Sequence, residues 1–275
     1  MRALLLLISL AWMAGCRTPQ AALREASATR TSLGTFEVHF DLPDRGSAQD
    51  VRLALQRATP GLARWGRFEV PVSVHILSDH EALEQAVDRE GYGWLRAWGR
   101  YDEVFIQSPA TWGLLGASQE SVDELVLHEL AHCLMYQLAA DRLGWTRKEI
   151  PLWFREGMAS FTAGQAYRWP ALETLARVLR AHPGVDILGA SEALYRGRSE
   201  WVYGAAHHAF TFLIERYGTG SVNLVLRAMR SGETFPGAFE QAVGLSAEAF
   251  LRDFHRYVRW GGFRGGPPAP VNPTP

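Results

Sequence analysis

Apolar and polar residues alternate from Thr35 to Asp41, with Phe36, Val38 and Phe40 on one side and Glu37, His39 and Asp41 on the other. A period of two belongs to a strand with one buried face. Phe68, Val70, Val72, Val74 and Ile76 repeat it, and Glu103 to Gln107 forms a third, shorter run. Gln49 to Trp65 follows a helical period broken at Pro60, and Asp79 to Arg89 follows it again behind an aspartate suited to capping. From Ser118 onward only helical patterns occur. The expected fold class is α+β, a small N-terminal mixed sheet with helices followed by a helical C-terminal half, in one domain over 34–260.

The two ends of the chain depart from these periods. Met1 and Arg2 precede an apolar run from Ala3 to Met13, the layout of a secretory signal and too short to span a bilayer. The run closes on Met13-Ala14-Gly15-Cys16, which resembles the bacterial lipobox with Met where Leu is usual. That resemblance implies a signal peptide over 1–15, lipidation of Cys16 and an exported lipoprotein anchored to a membrane of the cell envelope. A plain signal peptide cleaved after small residues fits the same stretch, and either reading means export. Residues 16–33 lack apolar periodicity and read as a tether, and residues 261–275, rich in Gly and Pro, as an unstructured tail.

Composition narrows the partners. The chain has 275 residues, 47% hydrophobic and 21% charged, as globular domains do. Its 28 basic and 29 acidic residues leave a formal charge of −1, so no positive field exists to hold nucleic acid. Cys16 and Cys133 are the only cysteines, which rules out a disulfide framework.

One segment points to chemistry. Ser121-Val122-Asp123-Glu124 matches a capping box, and Leu125 to Met135 is apolar on nearly all sides, as a buried helix would be. Two histidines and a glutamate in such a helix are costly unless coordinated or paired. His128 and His132 are one turn apart on one face, the spacing that lets both bind a single Zn²⁺, and Glu129 lies roughly 100° around the helix. This is the H-E-x-x-H signature. A third ligand is then required, and Glu156, between Phe154 and Met158 in an apolar segment that Pro151 could open, is the candidate. Gly157 and Ala159 are small enough to let that segment pack closely on the first helix.

His128-Glu-Leu-Ala-His132 and Trp153-x-x-Glu156-Gly-x-Ala159 together resemble the gluzincin metallopeptidases, most closely the peptidase-MA-like group. The resemblance runs over roughly residues 100–260, through Trp201 to Gly204, Glu215 to Gly218 and Phe250 to Tyr257. It implies a zincin active-site helix, one catalytic Zn²⁺ on His128, His132 and Glu156, Glu129 as general base, and a peptide or protein substrate. No G-x-M-E-N segment, which aminopeptidases use to hold a free amino terminus, is present. An endopeptidase is therefore the expected activity, and a non-catalytic lipoprotein of the same fold with a binding or envelope-assembly role is the alternative.

The donor to the developing oxyanion is the least determined residue. Tyr203 is the first choice, beside the core stripe of Val202, Ala205, Ala206, Ala209 and Phe210; a packing role fits it as well, and His207 or His208 could replace it as donor. The substrate is expected along the Glu103–Gln107 strand. Cys133 is expected to be a small buried apolar residue, His39 and His75 to be solvated or weakly bonded on the polar strand faces rather than ligands, and the tryptophans at 65, 94, 98 and 112 to be core residues, although they could also line a cleft.

Overall fold

The computed structural model describes residues 24–189 and 192–261. In chain order it contains β1 (Arg24–Thr31), β2 (Gly34–Asp41), α1 (Arg45–Arg57), α2 (Thr59–Leu62), β3 (Val72–Leu77), α3 (His80–Val87), β4 (Ala97–Gly99), β5 (Glu103–Gln107), α4 (Gln119–Ala139), α5 (Leu152–Thr162), α6 (Leu172–Ala181), α7 (Glu192–Gly197), α8 (Ser199–Arg230), α9 (Phe235–Val243) and α10 (Ala247–Gly261). The α+β expectation holds. The lipidation candidate Cys16, the signal segment and nearly all of the C-terminal tail lie outside the described residues.

The five strands form one sheet in the order β1-β2-β3-β5-β4. The outer pairs β1/β2 and β4/β5 are antiparallel, and β2, β3 and β5 are mutually parallel. Phe36, Val38, Phe40, Val72, Val74, Val104 and Ile106 are buried against α1 and α4, as period-two burial dictates. On the other face, His39 stacks on His75 and His75 on Phe105, each at 5.0 Å, so both histidines are packing residues.

The N-terminal edge of the sheet and the start of α4 differ from the sequence reading. Residues 24–31, expected as part of the tether, form β1, because backbone pairing with β2 holds an edge strand whose side chains show no apolar alternation. The N-cap of α4 is Ser118, whose Oγ accepts from the Ser121 N–H at 3.2 Å, one turn ahead of the expected capping box.

The helical half packs on aromatic contacts. Trp153 of α5 stacks on Phe250 of α10 at 5.5 Å, and Phe154 meets Phe210 at 5.4 Å and Phe235 at 5.1 Å. Gly157 serves α8 rather than α4: a Cβ there would lie 2.5 Å from both the Ala206 carbonyl oxygen and Phe210 Cβ. This close approach seats α5 deeply between α4 and α8 and carries Glu156 inward.

Candidate metal centre

α4 is buried along its second half because Leu130, Ala131, Cys133, Leu134 and Met135 surround the two histidines with apolar neighbours. Cys133 is a free buried thiol whose pKa burial pushes well up, which suits a packing role. His128 Nε2 and His132 Nε2 stand 3.2 Å apart, and Oε2 of Glu156 lies 3.5 Å from each. All three residues are buried, and their ligand atoms fall within 4.8 Å of one another. Of the sequence candidates, His128, His132 and Glu156 are thus brought together as one set. Glu129 stands outside it.

The donor set fits a divalent metal. Glu156 Oε2 is buried without a hydrogen-bond partner, a costly state that an ion among the three groups would relieve. Burial opposes ionisation of Glu156, but the neighbouring His132 and His128 outweigh it and hold the carboxyl far below the usual range. His128 is turned the right way by a contact the sequence did not reveal: its Nδ1 is 2.9 Å from Oε1 of Gln165, whose Nε2 donates to Glu124 Oε1 at 2.8 Å. The amide donation to Glu124 fixes Gln165 with its oxygen toward His128, so Nδ1 carries the proton and Nε2 presents its lone pair to the site. Arg168 holds Glu124 in turn, with Nε 2.6 Å from Oε1. Gly164, at φ 69°, makes the left-handed turn that ends α5 and brings Gln165 back over α4.

Glu129 is held from the sheet. The Gly99 N–H donates to its Oε2 at 2.6 Å, so this N–H points away from β5 and the outer edge of β4 faces the site. β4 was missed in the sequence because three residues are too few to show a period. Its presence corrects the expected substrate strand: β5 pairs with β3 on one side and β4 on the other, so the edge strand on the side of the metal site is β4, while β1 is the edge at the far side of the sheet.

Tyr203 lies in a wall of aromatic rings. It stacks on Trp169 at 5.2 Å, meets Trp94 edge-on at 5.8 Å, and its Oη is 2.8 Å from Oη of Tyr195. Burial, and then the negative charge of Glu156, push the Tyr203 phenol well above 10. Tyr195, on the short α7, carried no sequence signal; it too feels Glu156 after burial. Trp94 therefore packs against this tyrosine pair, whereas Trp65 is a core residue whose Nε1 donates to Thr162 Oγ1 at 2.8 Å. The alternative donors are engaged elsewhere: His207 Nδ1 bonds Ser160 Oγ at 2.9 Å, and His208 Nε2 is 2.9 Å from the Pro170 carbonyl.

No family model and no curated protein matches the sequence. Among solved structures, Legionella pneumophila aminopeptidase A, solved with aspartic acid, superposes with a TM-score of 0.53 at 15% identity over 85% of this chain. The fold is similar to that of an aminopeptidase. An M1 zinc metallopeptidase from Deinococcus radiodurans aligns over 90% of this chain at 15% identity with a TM-score of 0.46. This chain spans 28% of the length of the first and 54% of the second. What the first of these shares with this chain is the α+β fold, at low sequence identity.

Proposed function

We propose that this protein is an exported, membrane-tethered zinc endopeptidase. The observation that carries the reading is the convergence of His128, His132 and Glu156 on a point where Glu156 Oε2 has no other partner, with Glu129 poised beside them on the sheet edge.

His128, His132 and Glu156 would hold one zinc, which when bound supplies a Lewis acid and makes water nucleophilic near neutral pH. Glu129, oriented through Oε2 by Gly99, takes the proton of the attacking water on its other oxygen and delivers it to the leaving amine. Tyr203 remains a phenol at neutral pH, with its oxygen 2.8 Å from Tyr195 Oη, and is the proton donor assigned to the oxyanion. An extended substrate pairs with the outer edge of β4 through its backbone groups other than the Gly99 N–H, which Glu129 takes, and such pairing is indifferent to the substrate's ends. Together with the absence of a G-x-M-E-N segment, this favours internal cleavage. The Met13-to-Cys16 box supports export and lipidation at Cys16.

The test is zinc content with activity. Purified protein should hold one zinc per chain, His132→Ala should lose it, and Glu129→Gln should keep zinc and fold while activity on unselective protein substrates drops by about 10²–10⁴-fold. Stoichiometric zinc in His132→Ala would overturn the ligand set. Equal activity in Glu129→Gln would remove the general base. Cys16→Ser should move the protein from the membrane fraction to the soluble exported fraction.

A further inference from the structure

Leu114 and Leu115 are wholly exposed, adjacent in the chain, and flanked by Gly113 and Gly116. The loop that carries them is braced. Ala117 N–H donates to the Pro109 carbonyl at 2.8 Å, closing the loop's base, and Trp112 Nε1 donates to the Gln107 carbonyl at 2.9 Å. Ala110 N–H donates to Ser47 Oγ, which bonds Ser108 Oγ at 2.8 Å. The two leucines are thus presented by a fixed base.

The sheet topology says what lies beside them. β2, β3 and β5 are parallel and Arg24 pairs with Asp41, so the start of β1 and the ends of β2 and β5 share one end of the sheet. Glu25 is tied there to Arg45 at 2.7 Å, two residues before Ser47. Leu42, another exposed leucine, follows β2 at the same end. The chain that enters at Arg24 comes from the apolar stretch Ala3–Met13 and Cys16, and the eight residues from Cys16 to Arg24 span at most about 28 Å. Any attachment of that segment to a membrane holds this end of the molecule, and these leucines, against it.

We propose that this end of the sheet is a docking surface for a lipid bilayer, with Leu114 and Leu115 as the inserting tip. The proposal draws on the export reading only for how the chain reaches a membrane, and it is independent of the metal chemistry. It gives the domain a fixed orientation. The N-terminus of α4 faces the lipid, and His128, ten residues along from Ser118, stands roughly 15 Å above it, so cleavage is directed to chains at the membrane surface.

The experiment uses the full chain in a Cys16→Ser background, which removes lipidation and leaves only the weak, reversible binding of the tip, with a large excess of vesicles of phosphatidylcholine and phosphatidylglycerol to populate it. An environment-sensitive fluorophore is placed on Leu115→Cys or, as control, on Arg67→Cys next to Phe68, whose N–H bonds Leu33 in the β1–β2 turn at the opposite end of the sheet. Acyl-chain-brominated lipid should quench the label at 115 and spare the one at 67. Leu114→Ser/Leu115→Ser should weaken vesicle partitioning by about tenfold or more, with zinc content and Tm unchanged. An unquenched label at 115 on vesicle-bound protein, or equal quenching at both sites, overturns the proposal. A shift of the label at 115 that follows protein concentration without vesicles overturns it too, and assigns the leucines to contact between copies.

Discussion

Gly99 and Glu129 meet as backbone donor and carboxylate acceptor at 2.6 Å, and a Cβ on Gly99 would lie 2.5 Å from the Glu129 carbonyl oxygen and 3.0 Å from Oε2. The edge strand and the metal-site helix touch here with no room for a side chain. The glutamate assigned to proton transfer is therefore positioned by the same strand assigned to receive the substrate. Gly99→Ala should push β4 from α4 and misplace Glu129 and the substrate together. Activity should drop by about 10²-fold or more while zinc stays stoichiometric, since none of the three ligands contacts Gly99 in this way. Metal analysis beside kcat/KM checks this, and an unaltered rate would mean that the contact does not set the geometry.

Gln165 reaches the metal site through His128 alone. Gln165→Leu removes the acceptor for Nδ1–H and frees the ring to turn or change tautomer. Zinc affinity should weaken by about 10–100-fold, with one zinc per chain still bound at saturation. Competition with a chromophoric chelator measures it. The same variant should leave Glu124 paired with Arg168, so the fold should survive.

The tyrosine pair separates a donor from a positioning residue. Tyr203→Phe removes the proton assigned to the oxyanion and should lower kcat by about 10²–10³-fold with little change in KM. Tyr195→Phe removes only the group bonded to the Tyr203 oxygen, and its effect should be much smaller. The reverse order would transfer the donor role to Tyr195, and equal small effects would make both packing residues.

What the sequence revealed of this site follows from distance along the chain. His128, Glu129 and His132 lie within two turns of one helix, so their spacing alone fixes their relation. Glu156 was legible because it sits between apolar residues on a helix too apolar to be exposed. Gln165, Gly99 and Tyr195 join the site through the turn at Gly164, the approach of β4 to α4 and the packing of α7 on α8, none of which has a local period. The parallel strands β2 and β3 were visible through burial of one face, whereas β1 is specified by backbone pairing to β2 and leaves almost no trace in side-chain pattern. Gly157 looked like a contact on α4 because small size says nothing about which neighbour uses it.

His207 should make the fold sensitive to acid, independently of the metal. Burial, and then the adjacent His208, lower its pKa from 6.5 to about 4. The neutral ring fits its surroundings: Trp169 Nε1 donates to Ser160 Oγ at 2.6 Å, leaving the serine hydroxyl proton to point at His207 Nδ1, 2.9 Å away. A proton on Nδ1 would turn that acceptor into a competing donor. The unfolded chain takes up its proton near pH 6.5 and the folded chain only near pH 4, so between these values the unfolded state binds more protons and stability falls as pH falls. The effect is absent above about pH 6.5 and complete below about pH 4, with a magnitude of about 3 kcal/mol. Urea unfolding of zinc-free protein at a series of pH values, in wild type and His207→Gln, isolates the contribution as the difference between the two curves. The variant should lose part of the decline between pH 6.5 and 4, and parallel curves would show that His207 is not the group that couples folding to acid.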